Sequence, residues 1–198
     1  MTTIQEDNRR VGAEHEIAHA LAYIAHGRPF IDVEVDDIGC GAVNVEPWSG
    51  RSDVIACIKM AGPAADFAYL ARRDGEDTAL EATVDGWREL LNLRHPDDDP
   101  DAMRSDQAGA AGSGLMAYGF AWAAGFFTSN RDLISELGAE LRAAGGQLNY
   151  SQVLQRAVRR LQGADPVELT RMLNKVSAYS TAIEDVQANI RNLAEVSN

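Results

Sequence analysis

Two histidines and a glutamate are spaced for hydrolytic chemistry in the segment His15-Glu16-Ile17-Ala18-His19. Residues four apart on a helix stack on one face, so the two imidazoles converge and can share one metal ion. The glutamate between them lies off that axis, where it can reach a water on the ion without binding the ion itself. Zinc lowers the pKa of such a water to about 7, and a nearby carboxylate takes its proton as the oxygen attacks a carbonyl. His15 and His19 are therefore the expected zinc ligands and Glu16 the expected general base. A zinc site usually takes a third ligand from the protein. The extended motif, with another histidine ten residues after the first, is absent because that position is Ala25. His26 shares the face of His19 but stands two turns away, about 10 Å, and reads as a histidine of the helix end. The third ligand is expected to be a carboxylate further along the chain.

The elements that must position these residues are mostly helical. A first helix is expected over about 8–26, capped by Asp7 or Asn8 and ended by Gly27 and Pro29. Phe30 to Val35 alternates apolar and polar residues like a half-buried strand, and Ala42 to Val45 reads as its hairpin partner across Gly39-Cys40-Gly41. Residues 52–73 read as a second helix interrupted near Gly62-Pro63. A third is expected from Thr78 to about Arg94, followed by a Pro- and Asp-rich loop over 95–104. Ser105 can cap a long Ala/Gly-rich helix, with further helices over about 130–144 and 151–161. Asp165-Pro166-Val167-Glu168 is a strong helix start. Beyond it Leu169, Met172, Val176, Tyr179, Ile183, Val186, Ile190 and Leu193 recur as a heptad seam. The fold class expected is mostly α (α+β), with a small hairpin, divided into a domain over 1–163 and an amphipathic helix over 164–198. The seam either pairs with a second copy, giving a homo-oligomer through 165–198, or lies along its own domain.

The order of motifs resembles the peptidase domain of the FtsH-type zinc proteases, a family otherwise fused to an ATP-driven unfolding module. The His-Glu-x-x-His helix continues into Ala20-Leu21. Met60-Ala61-Gly62-Pro63-Ala64-Ala65-Asp66 resembles the family's Leu-Ala-Gly-Arg-Ala-Ala-Glu. Ser105-Asp106-Gln107 with Ala110 resembles its Asn-Asp-Leu-x-x-Ala, and 133–153 is similar to its closing helix pair. The resemblance covers about residues 8–160. It implies a helical zincin-like fold, a zinc metalloendopeptidase activity, and Asp106 as the third zinc ligand. It also implies that Asp66 supports a ligating histidine from behind. The family usually has Gly where this chain has Ala18 and Glu where it has Asp66. A strand edge beside the metal, Val43 to Val45 or Val33 to Val35, would take an extended peptide by β-addition, or else the hairpin simply covers the core.

Composition narrows the partners. The chain has 198 residues, enough for one domain, and a formal net charge of −12 without a basic cluster, which excludes the basic face that nucleic acid requires. Residues 107–130 carry no charge, yet they are built on Ala and Gly and lack basic flanks, so a buried helix is expected rather than a membrane span. Met1 to Arg10 is polar and charged, so no secretory signal is expected and the location expected is cytoplasmic. Cys40 and Cys57 are expected to be reduced thiols. Asp97-Asp98-Asp99 lacks the ligand spacing of a calcium loop and reads as a solvated charge run. No phosphate-binding loop of the Gly-x-x-x-x-Gly-Lys-Ser/Thr kind occurs, so any ATP-driven threading falls to a separate ATPase partner. The expected substrate is a peptide or unfolded protein. The rival expectation is a non-catalytic scaffold that keeps this fold and works through its C-terminal helix.

Overall fold

The computed structural model describes residues 4–83 and 115–179. Over these residues the chain is mostly helical, with one small antiparallel sheet. Helix α1 spans Ile4–Ala25, followed by strands β1 (Asp32–Val35) and β2 (Gly41–Asn44) and helices α2 (Ser52–Lys59) and α3 (Ala61–Asp74). Helix α4 is described over 76–83. Then come α5 (Met116–Ala143), β3 (Gln147–Asn149), α6 (Tyr150–Ala157) and α7, described over 166–179.

Helix α1 is the axis of the fold. Ala13 and every residue from His15 to Tyr23 are buried, so the helix is covered on all sides. Its alanines at 13, 18, 20 and 22 let neighbours approach closely, and α3, α5 and the sheet all pack on it. Gly27 ends it at φ 64, with Arg28 N donating to Tyr23 O at 2.8 Å. That is the left-handed closing turn glycine favours.

The sheet has the order β2-β1-β3. Val33 faces Val43 on one side and Leu148 on the other, and Val33, Val35 and Leu148 point into the core. The third strand was not anticipated: residues 147–149 lie between two helices, and a three-residue strand is too short to show an alternating pattern. Its pairing makes β1 the central strand, so Val33 to Val35 is not an edge; β2 is. Of the expected Ala/Gly-rich helix, the cap Ser105 lies outside the described residues, while the described part, residues 116–130, and the helix expected after it are one continuous α5 through Asn130. That residue is 2% exposed, and its side chain bonds Phe126 O, Gln162 O and Gln162 N. An asparagine that stitches two segments together is not a helix boundary. The helix expected from Thr78 already begins at 76. Of the stretch 107–130, residues 107–114 lie outside the described residues, while Phe120, Ala121, Phe126 and Phe127 are buried in the core. Ser52–Asp74 is also long and apolar enough to cross a membrane by length and composition, and 61% of its most apolar window is buried within the protein. The acidic loop at 97–99 lies outside the described residues.

A second core joins α3, α4, α5 and α7 through Met60, Phe67, Leu80, Phe120, Met172 and Val176. Asp165 caps α7 by accepting from Glu168 N at 2.8 Å, and Asp165 N donates to Gly125 O at 3.0 Å. Glu76 on α4 takes both Arg171 and Lys175. As far as Tyr179, the heptad seam therefore lies along its own chain; Ile183, Val186, Ile190 and Leu193 lie outside the described residues. Met172 is fully buried, so Met172→Ala should lower unfolding free energy by about 2–5 kcal/mol in denaturant titrations. A change within about 0.5 kcal/mol would mean that α7 does not pack here.

Candidate metal centre

His15 and His19 occupy adjacent turns of α1, and both rings are buried, at 9% and 5% exposure. Each is held from behind. The Nδ1 of His15 lies 2.8 Å from Asp66 Oδ2, and the Nδ1 of His19 lies 2.7 Å from the carbonyl oxygen of Ile58. A carboxylate and a carbonyl can only accept here, so the proton of each imidazole sits on Nδ1. Both Nε2 lone pairs then point to the front, where the two atoms face each other at 3.1 Å. Two lone pairs at that distance repel unless a positive charge lies between them. Two imidazole nitrogens bound tetrahedrally to zinc at their usual distance would stand about 3.3 Å apart. The pair thus fits a zinc ion in donor type, tautomer and spacing.

The segment Ile58 to Asp66 supplies both supports. Ile58 lies in the last turn of α2, Met60 (φ −93, ψ 0) forms the break, and Asp66 follows one turn after Gly62 in α3. The interruption near Gly62-Pro63 expected from the sequence falls at Met60, just ahead of a proline that has no N–H for the helix ladder. Asp66, although shorter than the family's Glu, reaches His15 and is 8% exposed.

Glu16 is buried at 8% exposure and lies under β2. A side chain at Gly41 would begin 2.6 Å from Glu16 Cγ and 2.3 Å from Glu34 O, so only glycine lets the strand cross there. The loop before it is seated on α1 in the same way, since a Cβ at Gly12 would meet Gly39 O at 2.0 Å. Asp36 Oδ1 accepts from Ile38 N and Cys40 N, both at 2.9 Å, and holds the turn closed.

His15, Glu16, His19 and Gly41 open into a cleft of about 890 Å³ whose lining also includes Ile4, Val11, Ile38 and Leu70. Part of its wall is Tyr69, which donates to Asp7; Arg10, behind them, also bonds Asp7 and lies over the Tyr69 ring. The Tyr69 hydroxyl and the Arg10 guanidinium hold the Asp7 carboxyl below its ordinary range. Strand β2 runs along the cleft as a sheet edge. Cys40 bonds Asp36 across the turn, so the alternation leaves the backbone of Gly41 and Val43 facing away from β1.

Asp106, the third ligand implied by the resemblance, lies outside the described residues. Among the described residues no three His, Cys, Asp or Glu side chains are gathered around one point. Both cysteines are free; Cys57 is buried, which pushes its thiol up to about 12, and Cys40 is exposed at the cleft. His26 packs against Trp122 with ring centroids 4.9 Å apart and planes tilted by 38°, and takes no part in the centre.

No family model matches the chain, and no curated protein does. The structural features the sequence did not reveal are the three glycines at 12, 41 and 62 and the Ile58 carbonyl. A carbonyl leaves no trace in residue type, and glycines that clear space for a neighbour look like any other until the neighbour is known.

Two measurements follow. Asp66→Asn removes the charged acceptor behind His15 and should weaken zinc affinity by about 10–100-fold in a chelator competition; unchanged affinity would deny Asp66 an orienting role. His26 Nε2 is buried without a hydrogen-bond partner among the described residues, and burial lowers its pKa from 6.5. The unfolded chain then binds this proton more readily than the folded one, so stability is complete above pH 6.5 and falls as the pH drops below it. His26→Phe keeps a ring on Trp122 and should flatten that decline between about pH 7 and 5, read as Tm against pH; an unaltered slope would place the titration elsewhere.

Proposed function

We propose that this chain is a zinc-dependent metalloendopeptidase with a helical zincin-like fold, similar to the peptidase domain of the FtsH-type proteases. The observation that carries the reading is the pair of Nε2 atoms facing each other at 3.1 Å, each ring fixed in the metal-binding tautomer by an acceptor behind it. A helix with two incidental histidines has no reason to bury both rings and supply each with an Nδ1 acceptor. The ordered motifs from His15 to Asp106 support the same reading, with Asp106 as third ligand.

When bound, zinc supplies the positive charge that makes a water acidic enough to be deprotonated near neutral pH. The rest is done by the chain. His15 and His19 would hold the ion from α1, and Asp66 and the Ile58 carbonyl keep their rings aligned. Glu16 accepts the proton of the attacking water as its oxygen adds to the peptide carbonyl carbon. It then returns that proton to the amine nitrogen as the C–N bond breaks. An extended substrate would lie in the cleft, pairing with the outward backbone of Gly41 and Val43. Zinc is the cofactor on this reading and a loose peptide or unfolded protein the substrate. Threading of folded substrates would require a separate ATPase, and the cytoplasm is the proposed location.

The test is zinc content and cleavage of an unfolded protein such as casein, wild type against Glu16→Gln. The variant should keep its zinc and lose about 10²–10⁴-fold in kcat. Full activity in the variant would remove Glu16 from the mechanism. A wild type that binds no zinc and cleaves nothing would favour the non-catalytic scaffold.

A further inference from the structure

Gly62 lies in the first turn of α3, buried, with a backbone that any residue could adopt, since its φ is not among the positive ones. Glycine inside a helix is less favourable than alanine, so conformation gives no reason for it. Space does. A Cβ built on Gly62 would lie 2.2 Å from His15 Nε2 and 2.4 Å from His19 Nε2, far inside contact distance of both. Neither ring can swing aside cheaply. His15 is tied at Nδ1 to Asp66 and His19 to the Ile58 carbonyl, so moving either breaks a buried hydrogen bond.

We infer that Gly62 is a positioning residue for the histidine pair: by lacking a side chain it lets α3 close onto both Nε2 atoms without displacing either ring from the position in which the two can share a ligand. Helix α3 thus acts on the pair in two ways. Asp66 fixes the His15 ring from behind, and Gly62, four residues earlier and so on the same helix face, sets no side chain against its Nε2. A Cβ at 62 would stand about as far from each Nε2, 2.2 and 2.4 Å, as a bound zinc ion stands from an imidazole nitrogen. The clearance follows from packing alone; what it serves, the holding of one metal ion, rests on the metallopeptidase reading.

The experiment uses the full chain and two readouts. Zinc binding is measured by chelator competition on wild type, Gly62→Ala and the control Gly163→Ala, whose added methyl meets nothing within 4 Å. Gly62→Ala should bind zinc at least about ten-fold more weakly, the scale seen when a ligand loses its orientation, while the control binds as wild type does. Separately, Tm is measured in EDTA for Gly62→Ala in the wild-type chain and in a His15→Ala/His19→Ala chain. Gly62→Ala should lower Tm when the imidazoles are present and leave it unchanged or raised when they are gone. The same Tm loss in both backgrounds, or wild-type zinc affinity in Gly62→Ala, overturns the inference. Should the wild type hold no zinc, the metallopeptidase reading fails, and the Tm cycle still decides whether Gly62 spaces the pair. If Gly62→Ala folds only when both imidazoles are absent, that outcome is itself the expected clash.

Discussion

Two imidazoles are brought front to front inside this protein, and the structure is organised around holding them there. Their Nε2 atoms face at 3.1 Å because each Nδ1 is committed to an acceptor on a different helix. A buried polar group without a partner is costly, so the carboxylate of Asp66 and the carbonyl of Ile58 decide which nitrogen carries the proton. The two Nε2 atoms are thereby aimed at one point in front of the rings, the place a shared cation would take. The chemistry proposed for this chain follows from that point and from the glutamate placed beside it.

Holding such a pair places demands on the neighbours that differ from ordinary core packing. Helix α1 must be covered on all sides while carrying three buried polar side chains, and it does so by offering alanine where other elements approach. Backbone comes close at three places. The hairpin loop rests on Gly12 through Gly39, β2 passes over Glu16 at Gly41, and α3 meets both imidazoles at Gly62. Each contact substitutes backbone for side chain where a larger residue would collide. The helix break at Met60 belongs to the same design, because it ends α2 with Ile58 against His19 and starts α3 in register for Asp66 to meet His15.

The second core serves a different purpose. It joins α7 to α3, α4 and α5 through Met172 and Val176, and Glu76 draws in Arg171 and Lys175 at its margin. A seam with heptad spacing is consistent with pairing between chains, but here its first turns are used within the chain. The same apolar spacing suits either partner, so spacing alone could not distinguish them.

What the sequence by itself determined is local. The spacing of His15, Glu16 and His19 needs only helical geometry to be read, the Gly27 and Asp165 signals mark a helix end and a helix start, and Val33 and Val35 show their strand by alternation. Contacts between distant segments were decided by the tertiary structure alone. Strand β3 exists because Leu148 finds Val33, α5 runs on through Asn130 because its amide finds Gln162, and His19 has its tautomer because the Ile58 carbonyl in the last turn of α2 stands opposite it. A residue's type reports what it can do within one or two turns of its own helix or strand. Which backbone atom will stand opposite it depends on how helices and strands far apart in the chain pack together, and no short pattern of residues encodes that.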